Sequence, residues 1–441
     1  MNWPRTQAMP YRQDASPYFE CVRDLDWPVW LDSGHPAYQG GRYEVISAAP
    51  IEKIRVSEGQ SSEVLQNLRG VLSRDVHTDP RFPFCGGLIG FVSYELGRLW
   101  HGLPARRDER LADDLCVGLY DWALIVDHQL RSASLIGLGL DHGPGEKWRA
   151  LCERFARVSS VEVPESRPAR LLSEGLSGQP YREGFERIQR YIREGDIYQV
   201  NYTRRLQAES DEDAWSLYQR LRKVSPAPYG AFLDFGDYQV LSDSPEQFLS
   251  LEGDRVRTRP IKGTRPRSDS PVRDAQLRAE LASSEKDRAE NLMIVDLMRN
   301  DLGRVCEPGS IQVPELFAVE SFAKVHHLVS TVTGVLRAGM DALDLLYACF
   351  PGGSITGAPK RRAMQIIDEL EPVNRELYCG SVFRLGFDGR LDSSIAIRTV
   401  LRRDGRLSYW TGGGIVADSD VDAEFEETRD KAKAFIDLIG V

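Results

Sequence analysis

Gly230-Ala-Phe-Leu-Asp-Phe235, Gln239-Val-Leu-Ser242 and Phe248-Leu-Ser-Leu-Glu252 follow one another with only short breaks between them. Runs of this length, rich in aromatic and aliphatic residues, read as strands, and their spacing is that of hairpins. On the N-terminal side Tyr198–Gln207 reads as a strand, preceded by a helical Gln179–Glu194. On the C-terminal side Arg273–Leu297 reads as one long helical stretch. Met340–Phe350 and Arg361–Glu369 read as helices, and Val382–Leu385, Ser393–Arg402 and Leu407–Gly412 as strands. Asp420–Ile439 closes the chain as a helix. Nearer the start, Gly86–Val92, Ala123–Val126 and Ser134–Leu138 are short strand-like runs cut by Gly and Pro. Strands come in runs rather than alternating with helices, so the fold class is α+β, with large antiparallel sheets.

The chain has 441 residues, more than one hydrophobic core usually serves. Residues 156–180 are rich in Ser, Pro and charge and read as a linker between an N-terminal domain, 1–155, and a domain at 181–441 that pack as one body. With 41% hydrophobic and 28% charged residues the composition is that of an ordinary globular protein. The net charge of -10 argues against a nucleic-acid surface, though local Arg and Lys can still attract an anionic small molecule. Seven Cys stand singly, without CxxC or Cys/His spacing, which disfavours a disulfide framework or a zinc site and suits a reducing cytosol. No apolar signal segment or membrane-length apolar run is present, so a cytoplasmic protein is expected.

In the last helix Val421, Phe425, Ala432, Phe435, Ile436 and Ile439 form an apolar stripe. Glu424, Glu427 and Lys431 stack beside it at i, i+3 and i, i+4 spacing. By spacing alone that is most often a solvated face with an ion pair. Gly412-Gly413-Gly414 just before it is a place where backbone N–H groups can approach an anion. Glu290 heads the helical run Glu290–Asp301, whose middle is apolar nearly all round, so that helix is expected to be buried. Glu290 is either a favourable first-turn acid or one of several carboxylates joined by a cation such as Mg2+, which takes oxygen ligands. Phe350–Lys360 is a glycine-rich turn into a helix that lacks the GxxxxGK[ST] spacing. It is a helix cap or a loop shaping an anionic ligand. Lys262 lies in an apolar and glycine setting, Pro260-Ile-Lys-Gly-Thr264, where an unprotonated amine could act as a nucleophile.

Taken together, GDIYQVNYTRR (195–205), SPEQF (244–248), PIKGTRPR (260–267), ENLMIVDLMRNDLGRVC (290–306), HHLVSTVTG (326–334), FPGGSITGAPK (350–360), IAIRT (395–399) and GGGIVADSDVDAEFEETRDKA (412–432) resemble the chorismate-utilising enzymes, the anthranilate synthase component I family. The resemblance extends to 1–150 through Leu31-Asp-Ser-Gly34, Gly41-Arg-Tyr43 and GGLIGFVSYEL (86–96). It implies a sandwich of large antiparallel sheets with helices outside. It implies Mg2+ held by Glu290 and Glu427 with Glu424 close by, and chorismate carboxylates held by Arg398, Tyr378, Lys431 and the Gly412, Gly413 and Gly414 amides. His327, Ser354 and Thr264 would line the substrate, and Glu246 would be the acid that protonates the departing C4 hydroxyl. Ser33 matches the family's tryptophan-binding stretch and marks a possible tryptophan pocket.

Two positions choose among the family's reactions. The isochorismate and salicylate enzymes carry a water-activating Lys where this chain has Gln199, and a neutral amide is no such base. Anthranilate synthases carry Ala at the position of Lys262, which leaves C2 open to ammonia. Lys262 can instead attack C2 itself, which sends ammonia to C4 and gives 4-amino-4-deoxychorismate. A downstream lyase would convert that product to 4-aminobenzoate for folate synthesis. The chain lacks a GxCxG-like glutaminase turn, so a glutamine amidotransferase subunit is the expected ammonia source. Anthranilate synthesis is the alternative reaction on the same scaffold.

Overall fold

The computed structural model describes residues 4–38, 40–57, 63–104, 110–140, 145–158, 169–322 and 324–440. Two antiparallel sheets pack face to face. The first has 12 strands, running from Arg5–Met9 at one edge through Val29–Asp32, Tyr229–Asp234, Tyr238–Ser244, Thr399–Arg403 and Arg406–Ile415 to Gln199–Glu209 and the short Gly357–Ala358. The second has 10 strands, from Ile261–Pro266 through Val325–Val335, Gln247–Glu252, Leu391–Ile395 and Gly87–Val92 to Glu52–Val56. The sandwich of antiparallel sheets expected from the sequence is present. Both the segment before 156 and the segment after 180 supply strands to each sheet; Val29–Asp32, for example, pairs directly with Tyr229–Asp234. Of the linker, 159–168 lies outside the described residues, while Arg170–Ser173 pairs with Gln199–Glu209.

Strand side chains alternate between two cores, because successive residues face opposite sides of a sheet. Val29, Val45 and Ile125 enter the core between the sheets, while Trp30, Ile46 and Leu124 enter a second core on the outer face of the first sheet. There they meet Tyr18, Trp215, Tyr218 and Phe435 from the covering helices. Both faces are therefore buried, and the strands read as continuous apolar runs rather than alternating ones.

Three sequence expectations change in ways that matter for the site. The stretch Arg273–Leu297 is two helices, Pro271–Ser283 and Glu285–Gly303. Ser284, at ψ 109°, breaks the first and caps the second by accepting from the Asp287 N–H. Glu290 thus sits more than a turn inside its helix rather than at its head, and that helix is amphipathic rather than buried all round, with Leu292 exposed. Ser393–Arg402 is not one strand. Leu391–Ile395 belongs to the second sheet and Thr399–Arg403 to the first, so the chain crosses between sheets at 396–398. Arg398, at φ 50°, makes the turn. A side chain of this size in the left-handed region costs free energy and marks a constrained place. Finally, the strand expected over Leu407–Gly412 runs on through Gly413 and Gly414 to Ile415, with Gly412, Gly413 and Gly414 paired with Thr203, Tyr202 and Asn201.

A buried ion pair fastens the walls of the inter-sheet space. Arg375, 1% exposed, donates to both Glu371 carboxylate oxygens at 2.6 and 2.8 Å, and to the Ile355 and Asn201 carbonyls at 2.9 and 2.7 Å. Removing the guanidinium leaves the buried Glu371 carboxylate without its counter-charge and two carbonyls without that donor. Arg375→Ala is expected to lower unfolding free energy by about 3–5 kcal/mol, measured by urea denaturation.

Candidate active site

The strand Ile261–Pro266 is the edge of the second sheet, and helix Glu285–Gly303 packs against it. Its register with Val325–Val335 slips between Lys262 and Thr264, a β-bulge at Gly263. Gly263 takes φ +80°, and a Cβ there would lie 2.9 Å from the Asp287 side chain, so only glycine serves. Lys262, just before the bulge, is half-buried. Its Nζ donates to the Ser354 carbonyl at 3.3 Å. Ser354 Oγ in turn donates to Glu246 Oε1 at 2.8 Å, and the Ile261 N–H reaches the same oxygen at 3.4 Å. Ser354 therefore ties the amine and the acid together.

Glu246 is 4% exposed. Burial drives its carboxyl up to about 7, against the pull of the Ser354 hydrogen bond and the Lys262 and Lys431 charges. An acid that still carries its proton near neutrality is what general acid catalysis requires. Glu290 is also raised by burial. Lys262 and Lys286 oppose the rise, while Glu424 and Glu427 add to it. Burial pushes Glu427 up too, but Lys431, with Lys262 and Lys286 behind it, wins and holds it below the usual range. Lys262 thus acts on Glu246, Glu290 and Glu427 at once, which places its ammonium position among the carboxylates and not in bulk solvent.

Each remaining carboxylate is matched to a cation or hydroxyl. Lys431 Nζ lies 2.6 Å from Glu427 Oε1 and donates to the Gly412 carbonyl at 2.9 Å. Glu424 is buried and accepts from Ser419 Oγ at 2.6 Å. Lys286 Nζ stands 3.5 Å from Glu424 and 4.0 Å from Glu290. A Cβ on Gly413 would sit 3.0 Å from Glu424 Oε2 and 3.9 Å from Glu427 Oε1, so the strand floor must be bare under the two acids. The neighbouring strand Thr399–Arg403 pairs only as far as Val400 opposite Tyr409, which leaves that edge of Trp410–Ile415 without a strand partner. The donor set is oxygen only, with Glu424 and Glu427 close enough to raise Glu290, and oxygen donors of this kind are what a hard divalent cation takes. Among the described residues, however, no group of three His, Cys, Asp or Glu side chains is arranged to hold a metal ion. The acids are turned to lysines instead.

The other expected residues divide. His327 is buried, and its Nδ1 shares a 2.9 Å hydrogen bond with Thr264 Oγ1. Burial, then the Arg398 charge, pushes its ring down to about 3, so it is neutral. Arg398 donates no hydrogen bond and makes no ion pair among the described residues. A half-buried cation held in a constrained turn, with no side-chain hydrogen bond of its own among the described residues, suits an anionic ligand. Tyr378 is buried and stacks on Trp410, rings 6.4 Å apart, with no hydrogen bond to the lysine–glutamate cluster. Lys360, at the end of the glycine-rich turn, is spent on a buried ion pair with Asp301 at 2.6 Å, so that turn is not a phosphate loop. Ser33 donates to the buried Glu44 and lines a separate cleft of about 1050 Å3 between the sheets, with Tyr38, Gly41 and Tyr229. Pro245 and Ile261 line the same cleft and are chain neighbours of Glu246 and Lys262.

The profile of the chorismate binding enzymes matches residues 28–437. The chain belongs to the chorismate binding enzyme family. It is 45% identical to aminodeoxychorismate synthase component 1 of Salmonella typhimurium strain LT2 and 42% identical to the protein of that name from Escherichia coli K12, in each case over 98% of both chains. It superposes on the crystal structure of anthranilate synthase component I from Streptococcus pneumoniae TIGR4 with TM-score 0.81 at 32% identity, covering 89% of this chain and 92% of that one.

Within this chorismate binding enzyme, sequence reasoning missed Lys286 and Ser419. Lys286 carries a usable signal, an i, i+4 spacing to Glu290, but so do many surface ion pairs. It also missed the state of Gln199, which is fully buried with neither amide atom hydrogen-bonded to the protein. All seven cysteines are unpaired, and among the described residues no helix is long and apolar enough to cross a membrane.

Proposed function

We propose that this chain aminates chorismate at C4 to give 4-amino-4-deoxychorismate, with Lys262 as a transient nucleophile and Glu246 as the acid. The observation that supports this reading is the Lys262–Ser354–Glu246 chain, in which one serine joins a lysine amine to a buried carboxyl raised to about 7. The Lys262 amine adds to C2 and the ring electrons shift. The C4–O bond then breaks as Glu246 delivers its proton, and water leaves. Ammonia adds to C4, the double bond shifts back, and the C2–N bond to Lys262 breaks. Glu246 regains the proton that the new ammonium group releases. The net change is replacement of hydroxyl by amine, split into two displacements that are each easier than one. Arg398, Lys431, Tyr378 and the free edge of Gly412–Gly414 would hold the carboxylates, and His327, Thr264 and Ser354 the ring.

Glu290, Glu427 and Glu424 would bind Mg2+, which when bound supplies charge neutralisation for the substrate's ring carboxylate. Ammonia would come from a glutamine amidotransferase subunit, in keeping with relatives named as component 1, and the setting would be the cytosol. A downstream lyase would take the product to 4-aminobenzoate. The test is incubation with chorismate, ammonium and Mg2+, with the product identified by mass and by lyase-coupled 4-aminobenzoate. The expected product is 4-amino-4-deoxychorismate, lost on treatment with EDTA and restored by added Mg2+. Anthranilate fluorescence without a lyase would establish the alternative, ortho-amination reading instead.

A further inference from the structure

Glu290, Glu424 and Glu427 face the side chains of Lys262, Lys286 and Lys431, and Lys286 stands between Glu290 and Glu424. A dication that takes Glu290 and Glu424 meets the Lys286 ammonium already lying against both. Its binding there therefore requires that this ammonium leave, because like charges at contact repel. The three lysines are not equally fixed. Lys431 is held at 2.6 Å by Glu427 and at 2.9 Å by the Gly412 carbonyl. Lys262 is seated on the bulged strand and donates to Ser354. Lys286 has the loosest contacts, 3.5 and 4.0 Å, and its side chain is 47% exposed on the first turn and a half of its helix. It can swing into solvent without giving up a close contact, whereas Lys431, though 43% exposed, is held by contacts of 2.6 and 2.9 Å.

We infer that Lys286 is a displaceable counter-ion, an internal gate that spans Glu290 and Glu424 and competes with the divalent cation for them. This rests on the metal reading given above. It predicts that the protein alone binds Mg2+ weakly, and that chorismate strengthens binding by adding anionic groups for the lysines to face. The gate keeps the cation from saturating the site before the substrate arrives.

The test is calorimetric titration of Mg2+ alone into wild-type, Lys286→Gln and Lys286→Arg proteins without chorismate, and into wild type with chorismate. Lys286→Gln should bind Mg2+ about tenfold more tightly than wild type, about 1.4 kcal/mol. Lys286→Arg should stay within about twofold of wild type, since it restores the cation. Thermal melting gives a second readout. Without added metal Lys286→Gln should melt below wild type, and Mg2+ should raise its melting point more than it raises that of wild type. Equal or weaker Mg2+ binding by Lys286→Gln overturns the gate. No Mg2+ binding by wild type even with chorismate overturns the metal reading itself, and the gate with it.

Discussion

Lys262→Ala is expected to lower ammonia-dependent formation of 4-amino-4-deoxychorismate by about a thousandfold, about 4 kcal/mol of transition-state stabilisation. The side chain is half-buried on an edge strand, so its loss should leave the melting temperature within a few degrees of wild type. What disappears is the group that occupies C2. With a methyl in its place ammonia can reach that carbon, and residual amination is expected to appear as the ortho product, visible as anthranilate fluorescence. Removal of the amine also strips Glu290 of the largest force opposing its burial-driven rise, and Glu246 and Glu427 of part of theirs. A variant that keeps wild-type rate and product would remove Lys262 from the chemistry.

Glu246→Gln is expected to reduce kcat by about 10²–10⁴, the usual worth of a positioned acid. The amide oxygen can still accept from Ser354 and the Ile261 N–H, so the pocket should persist, but the amide has no proton to give. The pH profile separates this role from a structural one. Glu246 titrates near 7 because burial opposes its charge. The working form is the protonated one, so wild-type kcat/KM should fall as pH rises through about 7. In Glu246→Gln the residual activity should lack that limb. A variant that retains it would assign the limb to another group.

Much of this was legible in the sequence, for identifiable reasons. Phe232, Leu241 and Leu249 announce strands because their runs are short, apolar and punctuated, and both faces of their sheets are covered. The last helix is legible from its stripe, of which Ala432, Phe435 and Ile439 are buried. What stayed hidden depends on partners distant in sequence. Nothing local says that the chain changes sheets between Ile395 and Thr399, because both halves are equally strand-like. Ser284 looks like any helix serine until its ψ is known. The Gly413-Gly414 end of the strand that begins at Leu407 is not read as strand because glycine is a poor strand former. Its place in a strand is fixed by Gln199–Glu209 alongside and by the glutamates above Gly413, for which any side chain would be an obstacle. The joining of Lys262 to Glu246 needs Ser354, some 90 residues downstream, and no pattern within either stretch carries that contact.

The most direct test of the central claim is to mix the protein with chorismate and Mg2+ in the absence of any ammonia source, quench with acid, and measure intact and peptide masses. The adduct predicted is chorismate less one water, carried on the peptide containing Lys262, discharged when ammonium is added before the quench, and absent from Lys262→Ala. An unmodified Lys262 peptide under conditions where added ammonium does yield 4-amino-4-deoxychorismate would contradict the account.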